Sequence, residues 1–244
     1  MMALGQHIQR PRPTRAAATG HGRIVLWGDS LAWEARGPFT HVATLDGDEV
    51  LDRTWPGTAI CDYVADMRTQ IRDWHPTVAV LSFSGNGFTP CMRGRDPLTA
   101  YREDASTAVA LLRAAGVQVR LVVSPPRRGQ PVDSDGLTDL GRVYRDVAAA
   151  NPGTQVSYAG FAVTVDGQWS ATLPCSAPEP CNTAGTVTVR APDGTHFCPD
   201  PDTPPVPTAN LVDCPVYSPG AERFGLAIAV SLGLSLDGLL PARE

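Results

Sequence analysis

The sequence lacks the features that would tie it most directly to a membrane or to nucleic acid. Its most apolar stretch, residues 224–240, is interrupted by Gly, Ser and Asp, so no run reaches the length of about 20 residues that a membrane span needs. The 20 basic residues are outnumbered by 25 acidic ones, for a net charge of −5, which leaves no basic stripe to neutralise phosphates. We therefore expect neither a membrane span nor a nucleic-acid partner.

The N-terminal segment also lacks the apolar core of a signal peptide. Residues 1–22 carry Arg10, Arg12 and Arg15 and no acidic residue, which predicts a disordered basic tail. The alternative is the remnant of an export segment or a misplaced start. This segment therefore leaves the compartment of the protein uncertain.

The cysteines lack the C-x-x-C spacing that is common in zinc sites. Six cysteines, an even number without such a pair, favour disulfides and hence an oxidising, extracytoplasmic compartment. The alternative is a cytosolic enzyme with six reduced cysteines. The disulfide candidates are Cys61, Cys91, Cys175, Cys181, Cys198 and Cys214.

Apolar patterning divides the chain into alternating strands and helices. Runs rich in β-branched and aromatic residues predict strands at 23–27, 77–83 and 117–123 and weaker strands at 41–46, 155–158 and 186–190. Helical spacing of apolar residues predicts helices at 60–74, 96–116, 137–147 and 218–239. This order predicts a single α/β domain over residues 23–240, with a parallel sheet between helices.

Polar and glycine-rich loops follow the strands of this predicted sheet. In parallel sheets, functional sites form at the carboxyl ends of the strands, where these loops gather. Ser30 follows the first strand and begins a helical turn, where free backbone N–H groups suit an anion. Gly57 and Asn86 lie in two further loops on the same rim. Ser30 is therefore a candidate nucleophile, although serine also caps helices.

His196 is a candidate base for this serine. A serine hydroxyl becomes a good nucleophile when a histidine removes its proton, and a carboxylate must hold that histidine in one tautomer. Asp193 precedes His196 by three residues in a predicted turn. Of the five histidines, only His196 lies on a loop with a carboxylate nearby.

These segments, in this order, resemble the SGNH (GDSL) hydrolases over about residues 23–240. The resemblance implies a flavodoxin-like, three-layer α/β/α fold without a metal or an organic cofactor. It also implies that Ser30 is the nucleophile, His196 the base and Asp193 the residue that orients the base. The oxyanion hole would consist of the Ser30 and Gly57 backbone N–H groups and the Asn86 side-chain amide.

One block departs from the family pattern, which is commonly Gly-x-Asn-Asp. Here residues 84–87 read Ser-Gly-Asn-Gly, so Asn86 keeps its amide but the hydrogen bonds that usually hold this loop are in doubt. The spelling of this block, followed by Thr-Pro-Cys at 89–91, looks like an actinobacterial, often exported branch. If the Gly57 and Asn86 loops are neighbours, as the resemblance implies, we expect Cys61–Cys91, with Cys198–Cys214 and Cys175–Cys181 as the other pairs.

The function that we predict is hydrolysis of a carboxylic ester through an acyl-enzyme on Ser30, with a small-molecule or glycan-borne acyl ester as substrate. One alternative is an O-acyltransferase that uses the same residues with a sugar or alcohol as acceptor. Another is a catalytically silent binding or wall-associated domain. Arg127 and Arg128 are expected in a solvated loop, and Trp55, Phe88 and Tyr217 either line an acyl pocket or pack elsewhere. The sequence leaves the acyl chain and the oligomeric state open.

Overall fold

A computed structural model describes residues 22–199, 214 and 216–236. Except for Gly22, the predicted basic tail lies outside these residues. Five strands form a parallel sheet in the order β2-β1-β3-β4-β5. They are β1 (Arg23–Gly28), β2 (Glu49–Thr54), β3 (Val78–Ser82), β4 (Gln118–Val122) and β5 (Thr154–Ser157).

Helices cover both faces of the sheet. They are α1 (Ser30–Leu45), α2 (Val64–Asp73), α3 (Pro97–Ala114), α4 (Asp139–Ala150) and α5 (Pro219–Ser231). Alternate residues of β1 point to opposite faces: Val25 and Trp27 pack with α2, α3 and α4, whereas Ile24 and Leu26 pack with α1 and α5. This arrangement confirms the predicted three-layer α/β/α fold.

The weak strand predicted at 41–46 is wrong, because these residues form the end of α1. The side chains of Leu31, Ala35, Phe39 and Val42 recur at helical spacing and are buried. The chain turns at Gly47, where φ is +88°, and only then enters β2. Since β2 is an edge strand with mostly exposed or half-buried residues, its apolar pattern is too weak to mark it.

The other predicted elements are present with adjusted bounds; the last helix, predicted at 218–239, ends at Ser231, and residues 237–239 lie outside the described residues. The helix predicted at 60–74 begins as a 3-10 turn over Ile60–Tyr63 and continues as α2. The strand predicted at 186–190 is a shorter strand, Thr186–Thr188, which pairs antiparallel with Thr172–Pro174. Thr164–Val165 and Gln168–Trp169 form a second small hairpin. Within the described ranges, no helix is both long and apolar enough to cross a bilayer.

Candidate active site

Ser30 is the first residue of α1, directly after β1. The tight junction between the two elements requires glycine at position 28: a Cβ there would lie 2.3 Å from Ala32 Cβ and 2.7 Å from the Ser82 carbonyl oxygen. Asp29 is the N-cap of α1, and its side chain accepts a hydrogen bond from Leu31 N. The junction thus places the Ser30 hydroxyl at the carboxyl end of β1.

His196 contacts both Ser30 and Asp193. Its Nε2 lies 2.8 Å from Ser30 Oγ, although 166 residues separate the two in sequence. Its Nδ1 lies 2.5 Å from Asp193 Oδ2. A carboxylate can only accept, so Nδ1 carries the proton in the neutral ring and Nε2 is left to accept from the Ser30 hydroxyl. The three residues therefore form a continuous hydrogen-bonded chain.

The tight turn at 193–196 fixes the orientation of the Asp193 and His196 side chains. Asp193 Oδ1 accepts from Thr195 N at 2.8 Å and from His196 N at 3.0 Å, and Gly194 takes a left-handed φ of +78°. Burial by itself would raise the pKa of Asp193, but the hydrogen bonds from the His196 ring and from these two N–H groups lower it to about 2. Asp193 is therefore an ionised acceptor at neutral pH.

Asp29 is a site residue to which the sequence pattern assigned no role. Its side chain is completely buried, and its Oδ2 accepts from Ser84 N at 2.6 Å, Ser84 Oγ at 2.7 Å and Asn86 Nδ2 at 3.0 Å. Burial raises the pKa of Asp29, while these hydrogen bonds oppose the shift. The sequence places Asp29 between a strand and a helix, which is typical of an N-cap residue. That position does not reveal hydrogen-bond partners more than 50 residues away.

The Asn86 side chain joins the loop after β3 to the loop after β2. Its Nδ2 donates to Asp29 and also to the Thr58 carbonyl oxygen at 3.1 Å. Gly57 and Gly85, which precede Thr58 and Asn86, have φ values of +79° and +100°. The two loops are thus neighbours, as the resemblance implied. Because both amide hydrogens of Asn86 are engaged, donation to an oxyanion requires one of these bonds to be shared or exchanged.

The loop after β4 is more closely involved than we predicted. Arg127 is partly buried, and its guanidinium donates to the Ser84 carbonyl oxygen at 3.1 Å. Arg128 has an exposed side chain, as expected, but its backbone N donates to Gly194 O at 2.9 Å. This loop therefore contacts the Asn86 loop through one arginine and the His196 turn through the other.

The six cysteines form the three expected pairs, Cys61–Cys91, Cys175–Cys181 and Cys198–Cys214. The first pair joins the Gly57 loop to the Asn86 loop, and in the third Cys198 lies two residues after His196. Cys61, Cys91 and Asp62 also cluster closely enough to suggest metal ligands, but the two sulfurs are bonded to each other. A thiolate is the form that binds metal, so this cluster is not a metal site.

The three aromatic candidates for an acyl pocket lie in different settings. Trp55 and Phe88 are 67% and 99% exposed, one just before Gly57 and the other just after Asn86. Tyr217 is partly buried, and its hydroxyl donates to the Glu222 carboxylate. Two large apolar side chains therefore project into solvent from the two loops that Asn86 joins, whereas Tyr217 is engaged at the start of α5.

No family model and no curated protein matches the chain, but solved structures match its fold. A Desulfitobacterium hafniense protein described as lipolytic and of the G-D-S-L family is 10% identical, with a TM-score of 0.51, over 86% of this chain and 99% of that one. A Bacteroides fragilis protein described as an acylhydrolase is 16% identical, with a TM-score of 0.52, over 91% and 90%. The Enterococcus faecalis lipase/acylhydrolase is 16% identical, with a TM-score of 0.50, over 91% and 99%.

At these identities the likeness concerns the fold, and the narrower actinobacterial resemblance stays a prediction. The match extends along nearly the whole of the G-D-S-L protein and of the E. faecalis structure. Together with the sheet order and the helices on both faces, it shows that this chain has the α/β/α fold of the SGNH, or GDSL, hydrolases.

Proposed function

We propose that the protein is a serine hydrolase that cleaves carboxylic esters through an acyl-enzyme on Ser30. The observation that carries the proposal is the hydrogen-bonded chain from Ser30 Oγ through the His196 ring to Asp193. This is the arrangement in which a serine becomes a nucleophile: a base in contact with the hydroxyl and a carboxylate that orients the base.

Acylation begins when Ser30 Oγ attacks the ester carbonyl carbon and its proton passes to His196 Nε2. Asp193 keeps the ring in the required tautomer and stabilises the imidazolium that forms. Collapse of the tetrahedral intermediate breaks the bond to the alcohol oxygen, which takes the proton from His196, and the acyl group stays on Ser30. In deacylation, His196 accepts a proton from water as the water attacks the acyl carbon, and Ser30 regains its proton when it leaves.

The oxyanion of each tetrahedral intermediate needs donors, and the start of α1 is suited to supply one. The first N–H groups of a helix have no intrahelical partner, and the helix dipole favours negative charge there. Together with Ser30 N–H, the Gly57 N–H and the Asn86 amide would complete the hole. For Asn86 this involves loosening the bond to Asp29 or to Thr58 as the charge develops.

The exposed side chains of Trp55 and Phe88 favour an ester with an apolar portion. Both belong to loops that the Cys61–Cys91 disulfide and Asn86 tie together. Covering a phenylalanine side chain with apolar substrate is worth about 1.5–3 kcal/mol. We therefore expect kcat/KM to rise with acyl length along a series of p-nitrophenyl esters, and Phe88→Ala to flatten that rise.

Activity towards this ester series, combined with labelling by a serine-directed phosphonate, tests the proposal. Ser30→Ala should lose several orders of magnitude in kcat, because the covalent step is removed. Ser106→Ala is the matched control, since its hydroxyl donates only to Arg102 O within α3. Phosphonate on any serine other than Ser30, or near-native turnover of Ser30→Ala, contradicts the mechanism. A protein that folds but cleaves no ester in the series returns the question to the silent-domain alternative.

A further inference from the structure

Glu34 is a buried carboxylate that the mechanism above does not use. It is 6% exposed, and its Oε2 accepts a hydrogen bond from Phe197 N at 2.7 Å across 163 residues of sequence. Burial raises the pKa of Glu34, and hydrogen bonds from the Phe197 and Cys198 backbone N–H groups lower it. Burying a carboxylate lowers stability unless hydrogen bonds compensate for the lost hydration. A function of Glu34 is therefore to be sought in the contacts that it makes.

The position of Glu34 on α1 relates it directly to the nucleophile. Ser30 and Glu34 are four residues apart in the same helix, so they lie one turn apart on one face, with Cβ atoms separated by about 5–6 Å. Ser30 contacts the His196 ring, and Glu34 contacts the backbone of the next residue, Phe197. A single rigid helical turn thus holds consecutive residues of the base loop.

Phe197 is held from other directions as well, which makes it an anchor for the base. Its ring is fully buried and packs at 5.2 Å from the Phe224 ring, and Ser218 Oγ donates to its carbonyl oxygen at 2.8 Å. These contacts come from α5 and its N-cap. The bond to Glu34 adds a polar contact between Phe197 and the helix carrying Ser30, whose buried apolar residues belong to the same cluster as the Phe197 ring.

We propose that Glu34 is a positioning residue that sets the distance between His196 and Ser30 by accepting the hydrogen bond from Phe197 N–H. The inference rests on the proposed function, because it concerns the turnover of the Ser30 site. Without the hydrogen bond from Phe197 to Glu34, the loop that carries His196 could move relative to α1. A misplacement of about 1 Å can lower a rate by about a hundredfold, and the loss should fall on kcat because Glu34 is buried and has little surface to offer a substrate.

Two conservative variants separate the effect of the length of the Glu34 side chain from the effect of its charge. Glu34→Gln keeps the length of the side chain and a carbonyl oxygen that accepts from Phe197 N, but it removes the charge. Glu34→Asp keeps the charge and shortens the side chain by one methylene, which withdraws the carboxylate. If Glu34 acts by position, Glu34→Gln retains kcat within about fivefold, while Glu34→Asp and Glu34→Ala fall by about a hundredfold with KM changed less than about threefold.

The measurement is kcat and KM for variants that keep the wild-type circular dichroism spectrum, with active sites counted by phosphonate titration. Glu103→Ala, an exposed glutamate on the opposite helical layer, is the control and should match wild type. The proposal is overturned if Glu34→Asp outperforms Glu34→Gln, which assigns the role to charge, or if all three variants match wild type. Should Glu34→Ala fail to fold, Glu34→Asp decides: a hundredfold loss of kcat at nearly unchanged KM, with kcat retained in Glu34→Gln, supports positioning, and wild-type kcat in Glu34→Asp refutes it.

Failure of this inference is distinguishable from failure of the proposed function. Wild-type protein that cleaves no ester refutes the function whatever the Glu34 variants do. Active wild-type protein whose Glu34 variants are equally active leaves the function intact and removes Glu34 from the machinery.

Discussion

The buried carboxylate of Asp29 accepts a hydrogen bond from the Asn86 amide at 3.0 Å, which connects the residue before the proposed nucleophile to the proposed oxyanion donor. The same carboxylate binds the backbone and hydroxyl of Ser84. Residues 84–87 depart from the usual Gly-x-Asn-Asp, and in this structure a residue from outside the block binds them. Here Asp29, supplied from the N-cap of α1, holds the loop, with Arg127 bound to the Ser84 carbonyl on its other side.

Asp29→Asn should lower both stability and turnover. The amide that replaces one carboxylate oxygen leaves a buried donor or acceptor without a partner, which costs about 1–3 kcal/mol of unfolding free energy. Displacement of Asn86 should lower kcat by up to about a hundredfold. Denaturant unfolding and steady-state kinetics measure the two effects. Asp96→Asn, at the exposed N-cap of α3, is the control, because Asn caps helices as well as Asp; equal behaviour of the two variants would contradict the role of Asp29.

Asn86→Ala tests the oxyanion hole. Removal of one such donor lowers kcat by about a hundredfold to a thousandfold, with little change in KM. Asn151→Ala is a suitable control, since its side chain donates to Val147 O at the end of α4 and should affect stability alone. A variant in which KM rises and kcat stays constant would make Asn86 a substrate-binding residue instead.

The low pKa of Asp193 predicts a specific pH dependence of stability. Because its pKa in the folded protein is about 2, below the ordinary 3.8, its ionised form stabilises the fold fully above about pH 4. That contribution disappears as the pH falls from about 4 to 2. The difference in unfolding free energy between wild type and Asp193→Asn should therefore be smaller at pH 3 than at pH 5. Urea titrations at these two pH values measure it, and a difference that grows from pH 5 to pH 3 would reverse the assigned sign.

Water should be the main acceptor of the acyl group. The His196 and Asp193 side chains are 35% and 50% exposed, so solvent reaches the proposed base, which would activate the second nucleophile. A transferase needs an acceptor held in place long enough to outcompete water. Mass spectrometry of products should show free acid as the main product across a panel of sugars and alcohols. If one acceptor at millimolar concentration captures most acyl groups, the transferase alternative replaces hydrolysis.

Local signals in the sequence accounted for much of the fold and for the identity of the candidate triad. β1, β3 and β4 are buried apolar runs bounded by turn residues, and Asp96-Pro97 marks the start of α3 as an N-cap and first helical residue. The turn that contains Asp193 and His196 could be predicted from the sequence, because its hydrogen bonds join residues only two or three apart. Local signals did not predict β2, because it is an edge strand whose mostly exposed or half-buried side chains show no clear alternation of apolar and polar residues.

What the sequence by itself determined is the presence and order of β1, β3, β4 and β5 and of α2 to α5, together with the residue types at Ser30, Asp193 and His196, since propensity, capping and turn formation act over a few residues. Only the tertiary structure decided that α1 continues through 41–45, and which partners Asp29 and Glu34 have. These depend on contacts between residues far apart in sequence, such as the bond from Phe197 N to Glu34 across 163 residues. The buried side of a helix is set by what packs on it, so a carboxylate four residues after the proposed nucleophile gains its hydrogen-bond partner only when α1 meets the His196 loop.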